Sequence, residues 1–113
     1  MSSIFKKIIN KEIDANILYE DELALAFTDV NPVAPLHVLI IPKIEIKTIN
    51  DIKVENKELI GHLFIIAKKI AQKNNVDKNG YRIVFNCNEN AGQTVFHLHM
   101  HLIAGRKLNW PPG

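Results

Sequence analysis

Between residues 94 and 104 the chain reads TVFHLHMHLIA, with His97, His99 and His101 at every second position and Leu98, Met100 and Leu102 between them. Strand side chains alternate faces, so the three imidazoles share one face and the three apolar residues the other. On a helix the same histidines would step round by about 200° and share nothing. The spacing therefore predicts a strand over 94–104, its apolar side inward and its imidazoles lining a surface or cleft.

The rest of the chain supplies partners for that strand. ILYEDELALAFTD (17–29) reads as two short strands around a Glu-Asp-Glu turn, and the Pro-bounded loop NPVAP leads into LHVLIIP, a strand stopped by Pro42. YRIVFN (81–86) is a further strand, joined to the histidine strand by the polar loop CNENAGQ in a hairpin-like connection. Ile4, Phe5, Ile8 and Ile9, after Ser2 and Ser3 as caps, predict a short amphipathic helix. Leu59, Ile60, Leu63, Phe64, Ala67, Ile70 and Ala71 predict a long one over 55–74. The fold class is α+β, a mostly antiparallel five-stranded sheet with one long and one short helix, expected on one face.

With 113 residues, 47% hydrophobic and 23% charged, the chain is expected to be a single soluble domain, 1–113, that buries a core without metal or disulfide staples. Its 14 basic residues are scattered among 12 acidic ones, which argues against a nucleic-acid groove. Lys6 and Lys7 interrupt the first apolar residues, and no stretch reaches the ~20 apolar residues of a membrane span. A single cysteine, Cys87, fits a reducing compartment, so the expected location is cytoplasmic.

Three chemistries compete for the histidines. The outer pair on a strand is separated by roughly 13 Å at ~3.3 Å per residue, so one metal cannot use all three. A complete site would need His37, His62 or a carboxylate, and no Cys pair or His-Glu-x-x-His pattern accompanies them; no metal is expected. Ordinary polar residues on a solvated sheet face would explain one histidine better than three in alternation. Nucleophilic catalysis explains all three: a neutral imidazole attacks phosphorus, a second holds its tautomer, and a third donates to the phosphoryl or leaving group. Upstream, AGQT offers backbone N–H groups and the Thr94 hydroxyl to a phosphate. Taken alone, His37 reads as a buried histidine, His62 as surface near Glu58, and Phe5, Ile8 and Phe27 as core.

HLHMHLI resembles the histidine triad (HIT) motif. IFKKIINKEI, AFTDVNPVAPLHVLIIPK (26–43), GYRIVFN (80–86), AGQTVFHLHMHLIAGR (91–106) and the terminal WPPG extend the likeness to the Hint branch, the histidine triad nucleotide-binding proteins, over nearly the whole chain. The resemblance implies a HIT-like homodimer that binds purine nucleotides and hydrolyses adenosine 5′-phosphoramidates to AMP and an amine through a nucleotidyl-histidine, with no cofactor. It makes His99 the nucleophile and His101 the residue at the phosphoryl group, with His97 and His37 supporting both. Asp29 would hold the ribose, and Phe5, Ile8, Phe27 and Val30 the base. Asn86, Gly92, Gln93 and Thr94 would lie on the phosphate side. The tail 105–113, with Trp110, would reach the dimer interface near the site. Thr94 stands where the branch usually has serine, and NCNEN differs from its Gly-rich stretch. Dinucleoside polyphosphate hydrolysis, or a nucleotide-sensing or protein-interaction role with incidental catalysis, are the alternatives.

Overall fold

Alternate residues of the two central strands part into two cores, and that division places everything else. The structure is a computed structural model that describes residues 3–113. The expected capping role of Ser2 lies outside the described residues. Five strands, β1 (Ile17–Glu20), β2 (Ala24–Thr28), β3 (Leu36–Pro42), β4 (Tyr81–Val84) and β5 (Met100–Ala104), form one antiparallel sheet in the order β1-β2-β3-β5-β4. Two helices pack on it, α1 (Ile4–Ile9) and α2 (Lys57–Lys73).

Ala24, Ala26, Val38, Ile40, Met100 and Leu102 turn to one face, where Leu63, Ile66, Ala67 and Ile70 of α2 cover them. Each large apolar side chain sealed there contributes about 1.5–3 kcal/mol. Leu25, Phe27, Leu39 and Ile41 turn to the other face and meet Phe5 and Ile8 of α1. The helices thus lie on opposite faces, contrary to the expectation of one. Both faces of β2 and β3 are apolar, and no periodicity within a helix tells which face it covers. A six-residue helix is too short to hold itself. α1 is fixed by the Phe5 and Ile8 contacts and by the Ser3 hydroxyl, which accepts from Lys6 N–H at 3.2 Å.

The histidine strand is shorter than expected, beginning at Met100 rather than 94. Its last pair with β3 is Ile40 with Met100, and β3 stops at Pro42, which has no N–H for a ladder. Residues before Met100 bond differently: Leu98 N–H donates to the Ile46 carbonyl at 2.6 Å, and the His97 ring takes the Pro42 carbonyl. The β4–β5 connection is a long loop carrying a 3-10 turn at Glu89–Ala91 rather than a tight hairpin. His62 is half-buried and bonds Asp21 at 2.6 Å, not the helix surface near Glu58. The same carboxylate accepts from Tyr19 O–H and caps the β1–β2 turn at Leu23 and Ala24.

Candidate active site

The sheet register lays the site out in rows. Phe27, Leu39, His101 and Val84 face one another across β2, β3, β5 and β4, and His37, Ile103 and Arg82 form the row beside it. Residues directly opposite in antiparallel strands share a face, so both rows belong to the α1 side. α1 covers only the β2–β3 part of that face. What remains is a cavity of about 610 Å³ lined by Phe5, Ile8, Phe27, Asp29, Val30, His37, Thr94, His99 and His101, a size suited to a small organic ligand.

Hydrogen bonds fix which nitrogen of each ring carries its proton. A carbonyl only accepts, so His99 donates through Nδ1 to the His97 carbonyl at 2.8 Å, which leaves its Nε2 with the lone pair. His97 donates through Nε2 to the Pro42 carbonyl at 2.7 Å. Val33 N–H donates to His37 Nδ1 at 3.1 Å, so neutral His37 carries its proton on Nε2 and donates it to His101 Nδ1 at 2.9 Å. His101 then carries its proton on Nε2, a buried atom that no described residue bonds. One lone-pair nitrogen and one N–H donor therefore stand side by side, their rings 5.0 Å apart.

Burial keeps the four rings neutral. It is the main force lowering the pKa of His37, His97 and His99, and with the adjacent His99 and His37 rings it brings His101 down to about 4. Asp29, 3.5 Å from His37 Nε2, opposes the shift at His37 and His99 without reversing it. Neutral imidazole is the nucleophilic form. The edge of Phe5 packs against His99 at 5.0 Å between centroids and restrains its ring. Asp29, His37 and His101 are also the one group of three possible metal-binding side chains found among the described residues, their ligand atoms within 4.8 Å. Both His37 nitrogens are already bonded, so a cation there would have to break the His37–His101 bond.

Four expected site residues stand elsewhere. His97 is fully buried beneath Phe5 and does not line the cavity. The Gln93 side chain is spent inside its own loop, accepting from Asn88 N–H and donating to the Lys47 and Val95 carbonyls. Gly92, at φ 84°, shapes the same loop in the left-handed region, and Asn86 lies in a neighbouring cleft. The cavity wall also includes Ile13, Asn16, Thr28 and Val33, residues of loops and a strand end that carry no pattern in the sequence. Only the His37–Val33 bond, a four-residue return across NPVAP, had a local signal in its paired prolines.

The site thus sets a free lone pair on His99 Nε2 beside an N–H on His101 Nε2, on one face of a five-stranded antiparallel sheet. The HIT domain family model matches residues 10–108, and the chain belongs to that family. It is 46% identical over 106 residues to the purine nucleoside phosphoramidase of Escherichia coli (strain K12), covering 94% of this chain and 89% of that one. The crystal structure of a HIT family hydrolase from Legionella pneumophila Philadelphia 1 superposes with a TM-score of 0.97 at 48% identity, covering 99% of this chain and all of that one. A histidine triad protein from Clostridium difficile gives a TM-score of 0.93 at 42% identity, with 96% and 95% covered.

Proposed function

We propose that this protein is a purine nucleoside phosphoramidase, hydrolysing adenosine 5′-phosphoramidates to AMP and an amine. The observation that carries the reading is the opposed tautomers of His99 and His101: a lone pair on one ring beside an N–H on the other. The printed activity of the Escherichia coli relative supports it.

His99 Nε2 attacks phosphorus, the P–N bond breaks, and the departing nitrogen takes a proton from solvent and leaves as the amine. His101 Nε2–H stabilises the charge that builds on the phosphoryl group, a donor placed before the reaction starts. Water then breaks the P–Nε2 bond and releases AMP. His37 acts through His101 by holding Nδ1 as an acceptor. Asp29 in the cavity wall suits the ribose hydroxyls, and Phe5, Ile8 and Phe27 give the base an apolar slot. Thr94 lines the phosphate end, and Gly92 and Gln93 act there through the loop they shape.

The protein works as a homodimer in the cytoplasm. β4 ends the sheet with an unpaired edge, while Phe64 and Ile65 of α2 and Trp110 of the tail expose apolar surface that a second copy would cover. The unpaired Cys87 fits a reducing compartment.

The test is incubation with adenosine 5′-phosphoramidate in EDTA, followed by intact-mass measurement of rapidly quenched turnover. AMP release with an adenylate mass on His99, both lost in His99→Ala, is the expected result. Unchanged release by His99→Ala would end the proposal.

A further inference from the structure

The apolar slot of the triad cavity has a polar outer end. α1 closes at Lys11, whose φ of 62° is left-handed; Glu12 N–H returns to the Lys7 carbonyl at 2.9 Å and Lys11 N–H to that of Ile8 at 3.1 Å. This turn hands the chain to the start of β1, where Thr28 N–H donates to the Asn16 carbonyl at 3.1 Å and Ile17 pairs with Phe27. The segment between is fastened at both ends, and its Ile13, Asp14 and Asn16 line the same cavity as the histidines.

In the order β1-β2-β3-β5, β1 stands three strand spacings from β5, roughly 14 Å at ~4.8 Å each. A nucleoside monophosphate with its phosphorus at His99 reaches along that span, its ribose at Asp29, its base against Phe27 and the outer edge of the base at Asp14 and Asn16. Asp29, the other carboxylate of the cavity, already accepts from Asn31 N–H and stands 3.5 Å from His37. Among the described residues the Asp14 carboxylate and the Asn16 side-chain amide have no hydrogen-bond or ion-pair partner. A carboxylate only accepts, and its two oxygens match two parallel N–H donors; an amide NH₂ matches a carbonyl oxygen. Guanine carries that set in order along one edge: the N2 and N1 donors, then the O6 acceptor. Adenine instead turns its N1 lone pair toward the carboxylate, acceptor against acceptor.

We propose that Asp14 and Asn16 read the outer edge of the purine and make guanosine 5′-phosphoramidates the preferred substrates. The Asp14 carboxylate accepts from guanine N1–H and N2–H, and Asn16 Nδ2 donates to O6. The inference rests on the phosphoramidase reading and names its base.

The test compares kcat/KM for guanosine, inosine and adenosine 5′-phosphoramidates. Two charge-assisted bonds at a solvent-facing carboxylate should favour guanosine over adenosine about tenfold, with inosine, which lacks the 2-amino group, between them. Asp14→Ala, read as the same ratio so that any general loss of activity cancels, should bring guanosine to within about threefold of adenosine. A wild-type ratio at or below one, a guanosine value no higher than that of inosine, or a preference that Asp14→Ala leaves intact would overturn the proposal. Titration calorimetry with GMP and AMP separates it from the phosphoramidase reading, because it needs no turnover. If neither phosphoramidate is hydrolysed while GMP still binds about tenfold tighter than AMP through Asp14, the phosphoramidase reading fails and the base assignment stands.

Discussion

His97 shares the alternation of His99 and His101, yet its geometry predicts a supporting role that one pair of variants can separate from chemistry. Its ring is fully buried, meets Phe5 edge-on at 6.1 Å, and donates to the Pro42 carbonyl at 2.7 Å. His97→Ala strands that carbonyl, at about 1–2 kcal/mol, and leaves an imidazole-sized void that costs about 2 kcal/mol more after partial collapse. The expected destabilisation is about 3–4 kcal/mol, measured by urea unfolding. Activity should fall ~10- to 100-fold, because the His97 main-chain carbonyl that orients His99 loses its anchor. His97→Gln keeps an N–H for Pro42 and most of the volume; it should cost less than about 1.5 kcal/mol and hold kcat within about fivefold. The reasoning fails if His97→Gln folds with wild-type stability but releases no AMP, since the imidazole itself would then be needed. It fails equally if His97→Ala costs under about 1 kcal/mol.

Other consequences follow from single contacts. His101 titrates near 4 in the folded chain against about 6.5 unfolded, so the unfolded state binds protons first and stability falls as pH drops through that window. Unfolding at pH 5 should show a loss of up to about 2 kcal/mol from this residue relative to pH 7, removed in His101→Gln. Asp21, held down to about 2 in spite of partial burial by the His62, Tyr19 and turn hydrogen bonds, works in a different window. Its stabilisation is full above about 3.8 and fades toward 2, so Asp21→Asn should cost about 1 kcal/mol at pH 7, after discounting for solvent screening, and almost nothing below pH 2. At Gly105, φ is 96° and a Cβ would stand 2.8 Å from Pro35 Cβ, so Gly105→Ala should lower Tm by about 5 °C or more in calorimetry. Thr94→Ser removes one methyl from the cavity wall and should raise kcat/KM for bulky amines a few-fold while leaving small ones alone.

Much of this architecture is readable in the residues, and what escapes reading has physical causes. Alternation places His99 and His101 on one face and Met100 and Leu102 on the other, as in the structure, and the period holds one residue beyond the paired strand, since His99 precedes β5. It misplaces the start of the strand, because pairing ends where β3 ends, and Pro42 lies some sixty residues away in sequence. The 3.6 period of α2 is plain in Leu63, Ile66, Ala67 and Ile70, but not the face it covers. Asn86 and Gln93 fall in the right loop and miss the cavity, since whether a side chain turns outward or bonds its own loop depends on partners such as Lys47 that only the fold brings near.

The bond between His37 and His101 shows most clearly where local reading ends and the site begins. Its partners are 64 residues apart and meet because β3 and β5 pair in one register, with His37 opposite Ile103 and His101 opposite Leu39. A slip of β5 by one residue would turn the His101 ring away from His37 into the α2 core, where a neutral imidazole would displace apolar packing. The buried set Val38, Ile40, Met100 and Leu102 forbids that slip, so the hydrophobic face that stabilises the sheet also sets the tautomers on the opposite side. Proton placement at His101 is then inherited in sequence: a backbone N–H at Val33 sets His37, and His37 sets His101. That chain of bonds needs no protonated ring, so it persists under the burial that keeps His99 neutral.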